Sequence, residues 1–390
     1  MKQLRLIAIL LPMVIFSPLA IDIFLPALPT MATEFDVPVT QMQWTITIFI
    51  FSLGLGQLFF GPISDKIGRR PVLLLGIVTY LITALVMIFI QSIELHLLLR
   101  FFQGLGACAI VVSVFASVTD RFNAKESSQI YSYLNGMIFC TPALAPVMGY
   151  FLTTNFGWKS NFIFMALFAV IFGVIALRFF NESYTPKVDS ISISKILVYK
   201  KMISSSSFIF YTFIVMLSFA SSTAFVSMAP NVFIHKFKLN EEVFTHWFSL
   251  NAVTIIAVNL LTPKLINHFK INSIIKIGLG IVILSGGLLL ALQNNTNVAS
   301  FMLPVIIGSI GFSLLMGTCT GKALTPFKAN AGAASALFGF IQMSISALIV
   351  TLAQALAFSA TEQLVIFALC FIPLLVIKFL RDSEKEPTRI

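Results

Sequence analysis

Long apolar runs recur along the whole chain, and short polar segments separate them. A membrane-spanning helix needs about 20 mainly apolar residues, whereas an outer-membrane strand needs about 10 residues of strict alternation. The pattern therefore predicts twelve membrane-spanning helices. Their predicted ranges are 4–29, 44–64, 71–92, 95–117, 130–152, 161–180, 207–231, 244–266, 271–291, 298–320, 331–355 and 362–380.

The longest polar segment, 181–206, divides the predicted helices into six and six. This division predicts an all-α polytopic membrane protein with two six-helix bundles, 1–180 and 207–390, as in many secondary transporters. The segment between them mixes apolar residues such as Ile196 with Lys195 and Lys200. We expect it to be a cytoplasmic linker that contains an amphipathic helix on the inner leaflet.

The positions of Lys and Arg predict the orientation, because positively charged loops stay in the cytoplasm. With the N-terminus inside, twenty-one of the 25 basic residues fall on the inner side. Only Lys159, Lys236 and Lys238 fall outside, and Arg100 lies within a span. The chain is therefore predicted to be a multi-pass membrane protein with both termini in the cytoplasm.

The composition agrees with a chain surrounded by lipid. Of the 390 residues, 58% are hydrophobic and 10% are charged, and a soluble domain needs about 25% charged residues. The net charge of +10 follows from the inner loops, so no nucleic-acid partner is expected. The four histidines do not have metal-ligand spacing. We therefore expect no metal, no cofactor and no enzymatic activity, and we expect a monomer.

Among the 15 acidic residues, Asp22 alone lies within a predicted span. A charge at the bilayer centre costs about 2.5–3.5 kcal/mol, so it persists mainly where it faces a partner or a cavity. Asp22 and Arg100 fall at similar depth in the outer half of their spans. We expect them to face each other as a proton-coupling and substrate site. In the alternative, Arg100 reaches the outer headgroups and Asp22 caps a kink made by Pro18 and Pro26.

Other polar and helix-breaking residues lie inside the predicted spans. Two prolines four residues apart, with a glycine after them, predict a kink in the fifth span at Pro142, Pro146 and Gly149. Several amide side chains can line a polar cavity or bridge helices. The cavity candidates are Gln57, Gln103, Asn135, Asn251 and Gln342.

The loop after the second span reads Gly61-Pro-Ile-Ser-Asp65-Lys66-Ile-Gly68-Arg69-Arg70. It resembles the signature of the major facilitator superfamily at the same place, between the second and third helices on the inner face. Gly61 permits close helix approach, Gly68 permits a tight turn, and Asp65 can pair with Arg69. We expect a cytoplasmic gate here. Its predicted members are Gly61, Asp65, Lys66, Gly68, Arg69, Arg70, Asp120 and Arg121.

Three further stretches resemble the bicyclomycin/chloramphenicol-resistance branch of the drug:proton antiporters in that superfamily. They begin at Pro18, Pro142 and Pro326, and the first contains Asp22. Relatives often carry Arg-Asp after the fourth helix, whereas this chain has Thr119-Asp120 with Arg121 one place later. Some relatives also carry a second carboxylate in the first helix, so a single acid leaves the proton number open.

The resemblance implies a secondary transporter that exports small hydrophobic compounds, mainly xenobiotics, in exchange for protons. It also implies an acid in the first helix and an arginine in the fourth, at the positions of Asp22 and Arg100. The alternative function is a proton-coupled importer or exporter of a metabolite or siderophore on the same fold. Whether expressing cells accumulate or lose a labelled compound distinguishes import from export.

Overall fold

The computed structural model describes residues 2–184, 195–233, 237, 241–356 and 358–383. The regular elements in these ranges are helices, without a strand. They are α1 (Lys2–Asp22), α2 (Leu28–Glu34), α3 (Val39–Met42), α4 (Trp44–Ile67), α5 (Arg69–Met87), α6 (Ile93–Arg121), α7 (Ala124–Phe156), α8 (Lys159–Phe179), α9 (Lys195–Ile203), α10 (Ser206–Asn231), α11 (Glu241–His268), α12 (Ile271–Ala291), α13 (Val298–Leu324), α14 (Ala331–Phe340), α15 (Ser346–Ala355), α16 (Ala360–Leu369) and α17 (Phe371–Ser383).

Eleven helical stretches in the described ranges are long and apolar enough to cross a membrane. One of them, Val298–Gln354, has 57 residues, more than twice the length that one crossing needs. It contains α13 and, after a 3-10 segment at Thr325–Asn330, the continuous run of α14, a π-helical turn and α15. The prediction of an all-α polytopic protein with twelve spans is therefore confirmed.

The first predicted helix, 4–29, is wrong as a single helix. Helix α1 ends at Asp22, a 3-10 turn follows at Leu25–Ala27, and α2 begins at Leu28. Pro26 and Pro29 explain the break, because proline lacks the N–H of the helical ladder and disfavours helix in the residue before it. Asp22 therefore lies at a helix end.

Two prolines, Pro142 and Pro146, lie inside α7 without interrupting it. The predicted kink does not appear as a break in the helix, and a bend at these prolines stays a prediction. Gly149 has a clear packing role instead. A methyl group at this position would overlap the carbonyl oxygen of Ile23, so only glycine lets α7 approach the break after α1.

The helices pack into two compact units. The first unit comprises Met1–Phe122, Met137–Met202 and Leu324–Phe340, and α6 packs there against both α4 and α5. The second unit comprises Asn123–Gly136, Ile203–Ala323 and Ile341–Ile390, and α16 packs there against α10 and α12. The division into bundles 1–180 and 207–390 stays a prediction. Within the predicted linker 181–206, α9 is a helix, residues 185–194 lie outside the described ranges, and contact with the inner leaflet stays a prediction.

The predicted orientation can be tested with single cysteines in a variant whose native Cys108, Cys140, Cys319 and Cys370 are replaced. Ser204 and Asn295 are both exposed, and the charge pattern predicts them on opposite sides of the membrane. In intact cells, an impermeant thiol reagent should label Asn295→Cys and leave Ser204→Cys unlabelled until the membrane is permeabilised. Labelling of Ser204→Cys in intact cells would invert the topology.

Candidate functional site

Asp22 is the last residue of α1, in the first unit. Its side chain is partly buried, and it forms no hydrogen bond or ion pair with any described residue. The carboxylate lies next to the broken segment whose Ile23 carbonyl is packed against Gly149. No basic side chain among the described residues therefore neutralises this acid.

Arg100, on α6, is fully buried and binds the last turn of α1. Its Nη1 donates hydrogen bonds to the carbonyl oxygen of Ala20 at 3.0 Å and to Oε1 of Gln103 at 2.7 Å. In an unbroken helix the Ala20 carbonyl would accept from the N–H of Phe24. Because α1 ends at Asp22, this carbonyl is free, and Arg100 takes the place of the missing donor.

The rest of the Arg100 guanidinium lies among aromatic rings of the first unit. Its Cζ is 3.8 Å from the ring centre of Phe24, 5.3 Å from that of Phe162 and 5.8 Å from that of Phe49. Cation–π contacts of this kind offset part of the cost of burying the charge. Nε and Nη2 have no hydrogen-bond partner among the described residues, so two donor atoms remain available to another acceptor.

Both expectations about Arg100 therefore need correction for this conformation. The side chain does not reach the headgroups, because it is fully buried. It also does not form an ion pair with Asp22. The Ala20 carbonyl, which the break after α1 leaves without a helical donor, accepts a hydrogen bond from the guanidinium instead, and three aromatic rings surround it.

The cavity candidates lie in both units. In the first unit, Gln103 accepts the hydrogen bond from Arg100, and Gln57 packs so closely on Gly339 that a methyl group there would overlap its Oε1. In the second unit, Gln342 lies in the π-helical turn. The role of all three in binding a substrate stays a prediction.

Two further candidates in the second unit, Asn135 and Asn251, are almost fully buried. Asn135 precedes Gly136, which packs closely on Asn259. Oδ1 of Asn251 accepts a hydrogen bond from Ser309 at 2.7 Å, and its side chain lines a cavity. Asn251 therefore has an open space beside it.

The gate motif forms a buried ionic network in the first unit. Arg69 is fully buried, and its Nη1 lies 2.7 Å from Oδ1 of Asp65 while its Nε lies 2.9 Å from Oδ2 of Asp120. Nη1 also donates to Oγ of Ser64 at 2.8 Å, and the ring of Tyr184 lies 4.6 Å from Cζ. One guanidinium thus joins the end of α4, the start of α5 and the end of α6.

Asp65 also caps the N-terminus of α14. Its two carboxylate oxygens accept hydrogen bonds from the backbone N–H groups of Gly332 at 2.8 Å and Ala333 at 2.7 Å. A carboxylate at a helix N-terminus satisfies free donors and interacts favourably with the helix dipole. Gly61 permits this approach, because an added methyl group would overlap Ala336.

Glu182 caps α5, and the sequence pattern did not single it out. Its carboxylate accepts from the backbone N–H groups of Arg69 and Arg70, each at 3.0 Å. Burial disfavours the ionised form, but hydrogen bonds from the backbone of Tyr184, Arg69, Arg70 and Ser183 outweigh it and lower the pKa of Glu182. The start of α5 is therefore held by a charged cap. Gly68, before it, has a φ of +104°, which favours glycine.

The remaining basic residues of the motif have different surroundings. Nη2 of Arg70 donates to the carbonyl of Leu177 at 2.6 Å, and Nη2 of Arg121 donates to the carbonyl of Asn181. Lys66 is exposed. Arg121 therefore binds the segment after α8, and Asp120 is the residue after the fourth span that contacts Arg69 directly.

Tyr199, on α9, completes the hydrogen bonding of α4. Pro62 lacks the N–H that would donate to the carbonyl of Leu58, and the hydroxyl of Tyr199 donates to that oxygen at 3.1 Å. Burial, together with the nearby charge of Asp65, raises the pKa of Tyr199, so the hydroxyl stays protonated and can donate. Pro62 is the sequence signal that a donor is needed here, but it does not say which residue provides one.

We expect Tyr199→Phe to lower the stability of the protein by about 0.5–1.5 kcal/mol, because a partly buried carbonyl loses its donor. Export should also slow, since Leu58 lies two helical turns before Asp65 on the same helix. The thermal unfolding midpoint in detergent and the initial export rate measure both effects. Tyr150→Phe, at an exposed tyrosine on α7, is the matched control and should leave both unchanged. A Tyr199→Phe protein with an unchanged midpoint would contradict this role.

Comparison with known proteins decides the family. A family model described as Major Facilitator Superfamily matches residues 10–351. The chain belongs to the major facilitator superfamily. Members of this superfamily are transporters, so the chain is a multi-pass membrane transporter of small molecules and not an enzyme. No group of three or more His, Cys, Asp or Glu among the described residues is placed to hold a metal ion.

Two curated relatives in the superfamily are similar over most of their length. A chloramphenicol resistance protein from Pseudomonas aeruginosa is 30% identical over 354 residues, which cover 89% of this chain and 84% of that protein. The multidrug resistance protein MdtL of Salmonella paratyphi A is 28% identical over 353 residues, which cover 90% of this chain and 89% of MdtL.

Solved structures of the superfamily share the fold. The crystal structure of the E. coli fucose:proton symporter FucP is similar with a TM-score of 0.77 and 13% identity, over 100% of both chains. At this identity the likeness concerns the fold alone. The expected fold class of the chain is confirmed.

Proposed function

We propose that this chain is a proton-driven exporter of small hydrophobic compounds across the bacterial inner membrane. The family membership and the two relatives, one a chloramphenicol resistance protein and the other a multidrug resistance protein, support this function. Direction and proton coupling are parts of the proposal. We also propose Asp22 as the group that carries the coupled proton.

The observation that carries the proposal is the state of Asp22. It is a partly buried acid at the end of a broken membrane helix, and among the described residues no basic side chain neutralises it. Acids inside membrane spans mark ion pathways and proton relays, because their insertion is costly. An acid without a fixed cation can take up and release a proton without first breaking an ion pair.

In the proposal, Arg100 couples the protonation of Asp22 to the conformation of α1. Its Nη1 is bound to Ala20, two residues before Asp22, while Nε and Nη2 have no partner among the described residues. When Asp22 loses its proton, we expect its new carboxylate to attract the Arg100 guanidinium, whose Nε and Nη2 have no acceptor among the described residues. We propose that this attraction changes the break after α1, and that proton binding reverses the change.

The gate motif is the second group of residues that changes its contacts during the proposed transport cycle. Asp65 caps α14 and pairs with Arg69, so these contacts must break whenever the end of α4 separates from α14 and from the start of α5. Their loss exposes two helix N–H groups and leaves Arg69 with Asp120 as its remaining acidic partner. Opening therefore requires free energy to break this network, and proton and substrate binding have to provide it.

The proton gradient provides enough free energy for this work. Moving one charge across the membrane potential is worth about 2.3 kcal/mol per 100 mV. One pH unit adds about 1.4 kcal/mol. Together they let one proton sustain a substrate gradient of roughly several hundredfold.

Everted membrane vesicles that contain the protein test the function. With a proton gradient, acid inside, an exporter should accumulate radiolabelled chloramphenicol in the vesicle lumen. Addition of the compound should release protons from the lumen, seen as recovery of a quenched pH-sensitive dye. Vesicles from the same host without the protein are the control. Uptake that persists after an uncoupler collapses the gradient would exclude proton coupling, and uptake only into right-side-out vesicles would favour an importer.

A further inference from the structure

The second unit contains a partly open cavity whose lining is rich in serine. The cavity and the open space at its mouth together have a volume of about 500 Å³. We call it the serine cavity, and its polar lining residues are Ser218, Ser221, Ser222, Asn251, Ser285 and Ser309. Its aromatic lining residues are Phe225, Phe312 and Phe371. All of these residues belong to the second unit.

Most of the serine hydroxyls already use their single proton. Ser218 donates to the carbonyl of Ile214 and Ser221 to that of Leu217, each at 2.9 Å. On α12, Ser285 donates to the carbonyl of Pro304 in α13 at 2.7 Å.

A hydroxyl that has donated its proton retains only acceptor capacity. The same holds for Ser309, whose hydroxyl donates its proton to Oδ1 of Asn251. The serine cavity therefore presents several acceptor oxygens from different helices.

Two donor groups remain. The hydroxyl of Ser222 and the side-chain nitrogen of Asn251 have no hydrogen-bond partner among the described residues. Ser222 lies between Ser218 and Phe225 on the same face of α10, at helical spacing. A ligand can therefore both donate to serine oxygens and accept from Ser222 or Asn251.

The charge of the lining restricts the ligand further. The described lining residues include no acidic, basic or histidine side chain. A charged ligand would lose its hydration without gaining an ionic partner, which is costly in a low-dielectric interior. A purely apolar ligand would leave the serine oxygens and the two donors unpaired, which is costly as well.

We propose that the serine cavity binds uncharged small molecules that carry hydroxyl or amide N–H groups next to an aromatic ring. The ring packs against Phe225 and Phe312, and the polar groups exchange hydrogen bonds with the serines and Asn251. That these molecules are the transported compounds rests on the proposed export function. Binding itself does not depend on transport.

Equilibrium binding to the purified full-length protein tests this site. Chloramphenicol is a suitable probe, because it is uncharged and has hydroxyl groups, an amide N–H and a nitrophenyl ring. Chloramphenicol succinate, in which one hydroxyl is esterified with a short chain that ends in a carboxylate, is the charged comparison ligand. The unmodified protein should bind chloramphenicol, and its Kd for the succinate should be about tenfold higher or more.

Substitutions at position 222 locate the binding. Ser222→Leu fills the space and should raise the Kd for chloramphenicol about tenfold or more. Ser222→Ala removes one donor and should raise it about threefold to tenfold, with little risk to folding. Thr223→Leu and Thr223→Ala are the matched controls on the next residue, which does not line the serine cavity, and should leave the Kd within about twofold.

Three results would overturn the proposal: no chloramphenicol binding by the unmodified protein, equal binding by the Ser222 variants, or equal binding of the charged succinate. Size-exclusion profiles and unfolding midpoints confirm that each variant is folded. The vesicle experiment separates this site from the proposed function. Binding that depends on Ser222, without proton-coupled uptake, would support the site and reject export. Proton-coupled uptake, together with unchanged chloramphenicol binding by the Ser222→Leu protein, would support export and reject the site.

Discussion

An Asp22→Asn protein should lose proton-coupled export completely while it still folds and reaches the membrane. Asparagine is close in size to the protonated acid but can neither take up nor release a proton. Asp22 forms no ion pair or hydrogen bond with the described residues, so the substitution removes no contact that holds the fold together. In everted vesicles, chloramphenicol should then release no protons from the lumen, and uphill accumulation of the compound should fall to the level of empty vesicles.

Asp36→Asn is the matched control for this substitution. Asp36 is an exposed acid in the loop after α2 with a positive φ of 51°, a conformation that asparagine tolerates well. Its proton release and accumulation should equal those of the unmodified protein. Substrate-induced proton release that persists in Asp22→Asn would reject Asp22 as the coupling group and direct attention to Asp65 and Asp120.

Arg69→Leu should have the largest effect on stability. Arg69 is fully buried and neutralises Asp65 and Asp120, whose side chains are 12% and 5% exposed. Removing one partner of a buried ionic cluster leaves its charges uncompensated and costs about 3–5 kcal/mol. We expect a lower unfolding midpoint, less protein in the membrane and no export. The midpoint in detergent and the amount of membrane protein per cell measure the change.

Two other substitutions identify the cause of that effect. Arg69→Lys keeps the charge but cannot contact both carboxylates with a planar guanidinium, so it should recover only part of the stability and export. Lys66→Leu removes a basic residue of the same motif that is exposed, and it should change the midpoint little. A midpoint for Arg69→Leu equal to that of Lys66→Leu would show that the buried network adds nothing to stability.

Arg100 illustrates how a broken helix alters the partner of a buried charge. The sequence places one acid and one base at similar depth in the membrane, and a pair between them is the simplest expectation. The break after Asp22 creates a second acceptor, the Ala20 carbonyl, and brings Phe24 against the guanidinium at 3.8 Å. The arginine then stabilises the end of α1, and the acid stays free for a proton.

The pattern of apolar runs is sufficient to place the membrane helices. Lipid provides no hydrogen-bond partner for the backbone, so each apolar run of about 20 residues has to be a helix. For this reason the predicted spans 271–291 and 331–355 agree with α12 and with the run from α14 to α15. The sequence also predicted the pair between Asp65 and Arg69, because these two residues are close along the chain on either side of Gly68.

The partners of the polar residues, in contrast, depend on how the helices pack. Asp65 caps α14 across 267 residues of sequence, and Tyr199 binds the Leu58 carbonyl across 141. Local patterns reveal that a proline frees a carbonyl or that a charge is buried, but the group that satisfies it comes from whichever helix packs alongside. That packing depends on close approaches such as Gly149 on Ile23, which no periodicity in the chain encodes.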